Sequence, residues 1–268
     1  MASSAMIMET FNHTLFEGKT ALVTGAANGI GAGVARSFAA LGATVLLHDI
    51  DATGLKRMSR ELASVKGDIR VLEGDLSKPG VADAVFDKAL RANDRIDFLI
   101  NNAGRSSAAT TLEVTEENTQ PLIELNLKSV IFLSKRLIAH ARERSGGGAI
   151  IQISSTAGIV GFERRAVYCA TKFAVIGLTK VLALDHGRDG IRVNAVLPHV
   201  VETDMFHKTA SSQEVDLWRT GIPMGRLATV EDIGALVMFL CSPAASYLTG
   251  GVYPVDGGAM AGPFGGDA

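Results

Sequence analysis

Cysteine is scarce in this chain. Two among 268 residues, Cys169 and Cys241, cannot build a disulfide framework, so a reducing, intracellular compartment is the expectation. An excess of one charge is also missing: 26 Lys and Arg face 28 Asp and Glu, a formal net charge of −2. A sequence-wide basic surface that holds nucleic acid by counterion release is thereby excluded. No run approaches the ~18 consecutive apolar residues of a membrane span, so no membrane partner is expected. No Lys or Arg precedes Lys19, and no apolar stretch there has signal-peptide length. Residues 1–17 therefore read as a loose arm, and the expected location is cytoplasmic. Metal-ligand spacing is lacking as well. His199, Glu202, Asp204 and His207 cluster in sequence, but no His-Glu-x-x-His pattern occurs, and no metal is expected.

What the chain does have is apolar content, 47%, together with 29 glycines. That content excludes disorder as the main state, and the length is ample for a well-buried core. No composition shift marks a boundary, so residues 18–258 are expected to form a single domain, followed by a Gly-rich tail over 259–268. Short apolar runs at 21–23, 43–47, 69–72, 96–100, 149–153, 191–196 and 252–255 alternate with helical patterns. Seven strands separated by helices predict an α/β fold with a doubly wound, seven-stranded parallel sheet of Rossmann type. Most runs lack polar alternation, as strands covered on both faces do. Gly146-Gly147-Gly148 reads as a tight helix-to-strand loop. The segment 202–221 breaks the rhythm beyond a strand end, where binding residues collect. It reads as a substrate lid, with a surface helical decoration as the alternative.

Thr24-Gly25-Ala26-Ala27-Asn28-Gly29-Ile30-Gly31 follows the first strand and opens a helix. Gly25 permits a tight turn, Gly29 lets backbone approach a pyrophosphate, and Gly31 allows helix to pack closely on strand. The helix N-terminus then offers N–H groups and partial positive charge to phosphates. Asp49, eighteen residues past Gly31, ends the second strand, where a carboxylate can accept both hydroxyls of an adenosine ribose and repel a 2′-phosphate. No Lys or Arg lies within the turn and Asp51 adds negative charge, so the expected cofactor is NAD rather than NADP.

Tyr168 and Lys172 stand four residues apart, on one face of a helix. An ammonium beside a phenol favours the phenolate and lowers its pKa, making a group able to exchange protons near neutral pH. Spacing alone favours an incidental Tyr and Lys on an amphipathic helix, since such pairs are frequent. Other features accompany the pair. Asn101-Asn102-Ala103-Gly104 ends the fourth strand, Ile153-Ser154-Ser155 ends the fifth, and Val252-Tyr253-Pro254-Val255-Asp256-Gly257-Gly258 closes the sheet region. Together these motifs resemble the short-chain dehydrogenase/reductase family, over about residues 18–258.

The resemblance implies roles. Tyr168 would be the proton donor or acceptor, and Lys172 would hold the nicotinamide ribose and lower the tyrosine pKa. Ser155 would bind the substrate oxygen, and Asn126 would anchor a proton relay. Asp75 and Leu76 would meet the adenine. Asn102, Ala103 and Gly104 would line the adenosine side. Pro198, Val201 and Thr203 would reach the carboxamide. His199 stands where the family usually has glycine, which puts the local pocket shape in question. The resemblance also implies a homo-oligomer, with a tetramer favoured over a dimer, using helices around 117–144 and 166–186.

Arg165, three residues before Tyr168, and Arg105, directly after Gly104, suit an anionic group. With His199, Met205 and Trp218 they form the candidate substrate set, although both arginines are equally compatible with surface or interface positions. The expected reaction is NAD-dependent interconversion of a secondary alcohol and a carbonyl in a small polar substrate such as a sugar, sugar acid or hydroxy acid. Two alternatives stand beside it. One is an apolar or steroid-like substrate under a lid of Met205, Phe206, Leu217, Trp218, Ile222 and Met224. The other is a catalytically silent dinucleotide-binding scaffold.

Overall fold

The seven apolar runs become seven strands: β1 (Thr20–Thr24), β2 (Thr44–Asp49), β3 (Ile69–Glu73), β4 (Phe98–Asn101), β5 (Gly148–Ile153), β6 (Ile191–Pro198) and β7 (Val252–Val255). A computed structural model describes residues 12, 14–65, 67–144, 146–203, 206 and 212–262. The strands pair in the order β3-β2-β1-β4-β5-β6-β7, every neighbouring pair parallel. Strand order reverses between β1 and β4, which opens a crevice at their carboxyl ends.

Among the described residues, eight α-helices accompany them: α1 (Gly29–Ala40), α2 (Ala52–Glu61), α3 (Val81–Ala92), α4 (Glu116–Ile123), α5 (Ser129–Glu143), α6 (Ala166–His186), α7 (Ser212–Thr220) and α8 (Val230–Cys241). They cover both faces of the sheet. Ala21 and Val23 of β1 join a core with Phe38 of α1 and Val237 of α8. Leu22, between them in sequence, joins the opposite core with Phe86 of α3 and Leu133 of α5. Successive side chains of a strand point to opposite faces, so a strand between two helical layers is apolar at every position. At the edge, β3 exposes Arg70, Val71 and Glu73.

Two expectations need revision. Residues 14–17 are not part of a loose arm. Phe16 N–H donates to Leu41 O at 3.0 Å, and its ring is buried 5.1 Å from Phe38 and 5.2 Å from Phe98. An arm judged by its missing charges does not reveal one aromatic with a pocket to fill. The helical pattern at 117–144 is not one helix but α4, a π-helical turn over Glu124–Lys128, and α5. Pro121 inside α4 has no N–H to give to a preceding carbonyl. The segment Ala166–Asp189, α6 and the turn after it, is long and apolar enough to cross a membrane by length and composition, although Lys172, Lys180 and Asp185 interrupt it. In the fold, Val175, Ile176, Thr179 and Ala183 of α6 are buried, whereas Phe173, Val181 and Leu184 are exposed.

Candidate active site

At the crevice, the glycine turn is tied to the end of β4. Asn102 Nδ2 donates to Thr24 O at 2.9 Å and Gly25 O at 3.2 Å, while Thr24 Oγ1 accepts from the N–H groups of Asn102 and Ala103, both at 3.0 Å. Gly25 and Gly29 adopt φ of +68° and +54°, a left-handed backbone open to glycine. A Cβ on Gly31 would lie 2.1 Å from Gly25 O, so this glycine closes the turn on itself as well as on the strand. Asn28 makes no side-chain cap to α1, and Gly29, Ile30 and Gly31 lie in a first turn without an acidic residue. The helix end keeps its donors for an anion. Cradle and helix end fit a dinucleotide pyrophosphate.

Asp49 stands at the end of β2, as expected, but its oxygens also hold the turn. Oδ2 accepts from Ala27 N–H at 2.9 Å and Oδ1 from Asp51 N–H at 3.0 Å. Asp51 caps α2 through Gly54 N–H at 2.9 Å. The sequence reading missed Arg57. Its Nη2 donates to Ala27 O at 2.8 Å and Asn28 Oδ1 at 2.6 Å, so α2 brings a cation to a turn that has none of its own. Asp75 accepts from Ser77 N–H at 2.9 Å and Ser77 Oγ at 2.6 Å, bonds that hold its carboxyl below the ordinary value, and neighbouring Leu76 is buried.

Across the crevice, Ser155 ends β5's extension and begins a 3₁₀ turn, accepting from Ala157 N–H at 3.1 Å. Its side chain also lowers the pKa of Tyr168. Lys172 Nζ donates to Ile153 O at 2.9 Å and stands 5.7 Å from the centre of the Tyr168 ring. Ser154 Oγ donates to Lys172 O at 3.0 Å, fastening α6 to the same strand end. Asn126, buried in the π turn, bonds the main chain of Arg105 and donates to Thr171 Oγ1 at 3.3 Å. A Cβ on Gly104 would lie 3.3 Å from Asn126 Oδ1 and 3.7 Å from Lys172 Nζ, so this glycine leaves those two groups room.

The direction of the Tyr168 shift corrects the expectation. Burial raises its pKa above the ordinary phenol value, opposed by the Ser155 side chain and by the charge of Arg165. Lys172 is itself pushed down to about 8 by burial. Removing an ion from water disfavours the charged form of both groups, phenolate and ammonium alike, which helical spacing cannot reveal.

The remaining candidates divide. Val201 bridges to Ala228, and Thr203 meets the glycine turn, its Cγ2 3.3 Å from where a Gly29 Cβ would stand. Pro198 ends β6 beside Val255. Arg165 flanks Tyr168, but Arg105 is exposed and its charge is felt at Asp75. Asn126 holds the Arg105 backbone through its N–H and carbonyl. Arg164, which the sequence reading did not single out, takes φ of +57° and pairs with Glu113 at 3.0 Å. Trp218 of α7 packs edge-on against His199, ring centres 5.6 Å apart. Met205 lies outside the described residues, as do Asp204 and His207. Among the described residues, no group of three or more His, Cys, Asp or Glu could hold a metal.

A family model described as enoyl-(acyl carrier protein) reductase matches residues 25–260. The D-threitol dehydrogenase of Mycolicibacterium smegmatis is 36% identical over 90% of this chain and 93% of its own. The meso-2,3-butanediol dehydrogenase of Serratia marcescens is also 36% identical, over 92% and 96%. Among solved structures, L-sorbose reductase from Gluconobacter frateurii, complexed with NADPH and L-sorbose, superposes with a TM-score of 0.87. It is 29% identical and covered in full by 94% of this chain.

Proposed function

The chain belongs to the short-chain dehydrogenase/reductase family, oxidoreductases of CH–OH groups that use a nicotinamide dinucleotide, and from that premise we propose an NAD-dependent dehydrogenase of small polyols and related sugars or sugar acids. The observation that carries this reading is Lys172 Nζ, 5.7 Å from the centre of the Tyr168 ring and bonded to Ile153 O at the strand end that Ser155 follows. Threitol, butanediol and sorbose are the alcohols and ketone named for the relatives, all small and hydroxylated.

Gly25, Asn28, Gly29, Ile30 and Gly31 would hold the pyrophosphate, Asp49 the adenosine ribose, and Asp75 and Leu76 the adenine. Asn102, Ala103 and Gly104 would line the adenosine side, Tyr168 and Lys172 the nicotinamide ribose, and Pro198, Val201 and Thr203 the carboxamide. Asp49 favours NAD, since a 2′-phosphate would meet its negative charge. When bound, the nicotinamide supplies or accepts the hydride.

The chain's own residues handle orientation and the proton. Ser155 donates a hydrogen bond to the substrate oxygen, and Tyr168 Oη takes the carbinol proton in oxidation or returns it in reduction. Lys172 supplies the nearby positive charge. Asn126 keeps the loop after Gly104 against that lysine. Arg165 adds a cation that a sugar acid would use.

Exposed Ile131 and Phe132 on α5, with Phe173, Val181 and Leu184 on α6, favour burial against further copies of the chain, a tetramer before a dimer. With two free cysteines, Cys169 and Cys241, a reducing cytoplasm suits the protein.

The test is a substrate panel of polyols, sugars, sugar acids and apolar cyclic alcohols with NAD⁺ or NADP⁺, followed by absorbance of the reduced coenzyme. Clear preference for NADP⁺ would overturn the coenzyme assignment. Preference for apolar cyclic alcohols would overturn the substrate class, and is the reading favoured by exposed Leu217 and Met224 beside Trp218.

A further inference from the structure

His199 occupies the first position beyond β6, where the family resemblance leads one to expect glycine. Its N–H donates to Val255 O at 3.2 Å, so the backbone is fixed to the end of β7 and the side chain cannot swing far. Nδ1 lies 3.1 Å from Oγ1 of Thr156, the residue directly after Ser155. The ring is held between Phe162, ring centres 6.1 Å apart, and Trp218 at 5.6 Å. It also lines a cavity of about 170 Å³ shared with Ile222, Met224 and Val255 and with the charged Arg226, Asp232 and Asp256. Among the described residues, Nε2 makes no hydrogen bond. The imidazole is half-buried, and burial lowers its pKa against the opposing pull of Asp256.

This is a neutral ring with one nitrogen anchored and the other free, one residue removed from the group that binds the reacting oxygen. In a vicinal diol, the second hydroxyl lies within hydrogen-bonding range of the first. A neutral imidazole can donate to that hydroxyl or accept from it, according to its tautomer. Trp218 adds a flat apolar wall for the carbon skeleton, which suits the C–H faces of a polyol. A substrate without the second hydroxyl would leave Nε2 shielded from water and unpaired, and such a site rejects the analogue that lacks its partner.

We propose that His199 is a specificity-determining residue that binds the hydroxyl next to the reacting carbinol, so that the enzyme selects vicinal diols and polyols over monohydric alcohols. The inference rests on the function proposed above and narrows its substrate class.

The experiment compares meso-2,3-butanediol with 2-butanol, each with NAD⁺, for the wild-type chain, His199→Gly and His199→Gln. Expected for His199→Gly is a loss of about tenfold or more in kcat/KM on the diol, mostly in KM, with less than about threefold on 2-butanol. His199→Gln keeps a hydrogen-bonding group and should recover part of the loss.

A second readout needs no turnover. Trp218 is the chain's single tryptophan. Its emission, in a Tyr168→Phe background loaded with NAD⁺, reports diol affinity. Adding His199→Gly should weaken that affinity to a similar degree. Equal losses on diol and monohydric alcohol, or no loss on either, would overturn the inference and leave the proposed function intact. So would a wild-type enzyme that oxidises 2-butanol as efficiently as the diol. A wild-type chain that oxidises neither, nor any polyol or sugar, would overturn the proposed function and this inference with it.

Discussion

Asn126 clasps the main chain of Arg105 with both ends of its carboxamide: Oδ1 accepts from the Arg105 N–H at 3.0 Å, and Nδ2 donates to the Arg105 carbonyl at 2.9 Å. The clasp spans 21 residues of sequence and joins the loop after β4 to the π turn between α4 and α5. A π turn widens the helix by one residue and turns a side chain out of regular register. Here it aims an amide at a backbone that needs both a donor and an acceptor.

Asn126→Ala strips the partners from the partly buried Arg105 N–H and carbonyl. We expect a loss of about 1–3 kcal/mol in unfolding free energy, and a fall in kcat because Arg105 and Gly104 lose their fixed position. Urea unfolding and steady-state kinetics check it. Unchanged stability together with unchanged kcat would remove Asn126 from the positioning role.

Tyr168→Phe deletes the hydroxyl assigned the proton transfer above. The expected fall in kcat is about 10²–10⁴-fold, the usual worth of a positioned acid or base. Stability should change by no more than the roughly 0.5–1.5 kcal/mol of one hydrogen bond. Full activity in a folded, coenzyme-loaded variant would refute the mechanism.

Lys172 offers a pH test. Its folded pKa is about 8, lowered by burial, whereas an unfolded lysine titrates near 10.4. Between those values the unfolded chain binds the extra proton, so stability rises with pH across that window. The destabilising contribution is complete below pH of about 8. Compared with Lys172→Met, the wild-type unfolding free energy should gain ground from pH 7 to pH 10. A difference flat with pH would show that the ammonium is not penalised by burial.

Gly31→Ala puts a methyl 2.1 Å from Gly25 O and 2.5 Å from Asn102 Nδ2. The turn must open, at a cost of about 1–3 kcal/mol, and dinucleotide affinity should fall at least about tenfold. Gly161→Ala is the control, since nothing lies within 4 Å of the added Cβ. Thermal unfolding and NADH fluorescence titration separate the two effects. A normal Kd in Gly31→Ala would contradict the role given to the turn.

What the sequence determined alone was whatever depends on near neighbours along the chain. Apolar runs marked all seven strands within a few residues, because a strand sheathed in helices must be apolar throughout. The glycine turn and the four-residue interval from Tyr168 to Lys172 were legible because turns and helix faces repeat over a handful of positions. Asn126 carried no such mark beyond family likeness, since its partner is a backbone 21 residues away. Tertiary structure alone decided that Arg57 reaches the glycine turn, that the charge of Arg105 is felt at Asp75 and that of Arg165 at Tyr168, and that Phe16 is buried. It also set the sign of the Tyr168 shift. Those outcomes depend on which distant segments meet and on how much water their meeting expels, and no local spacing encodes either.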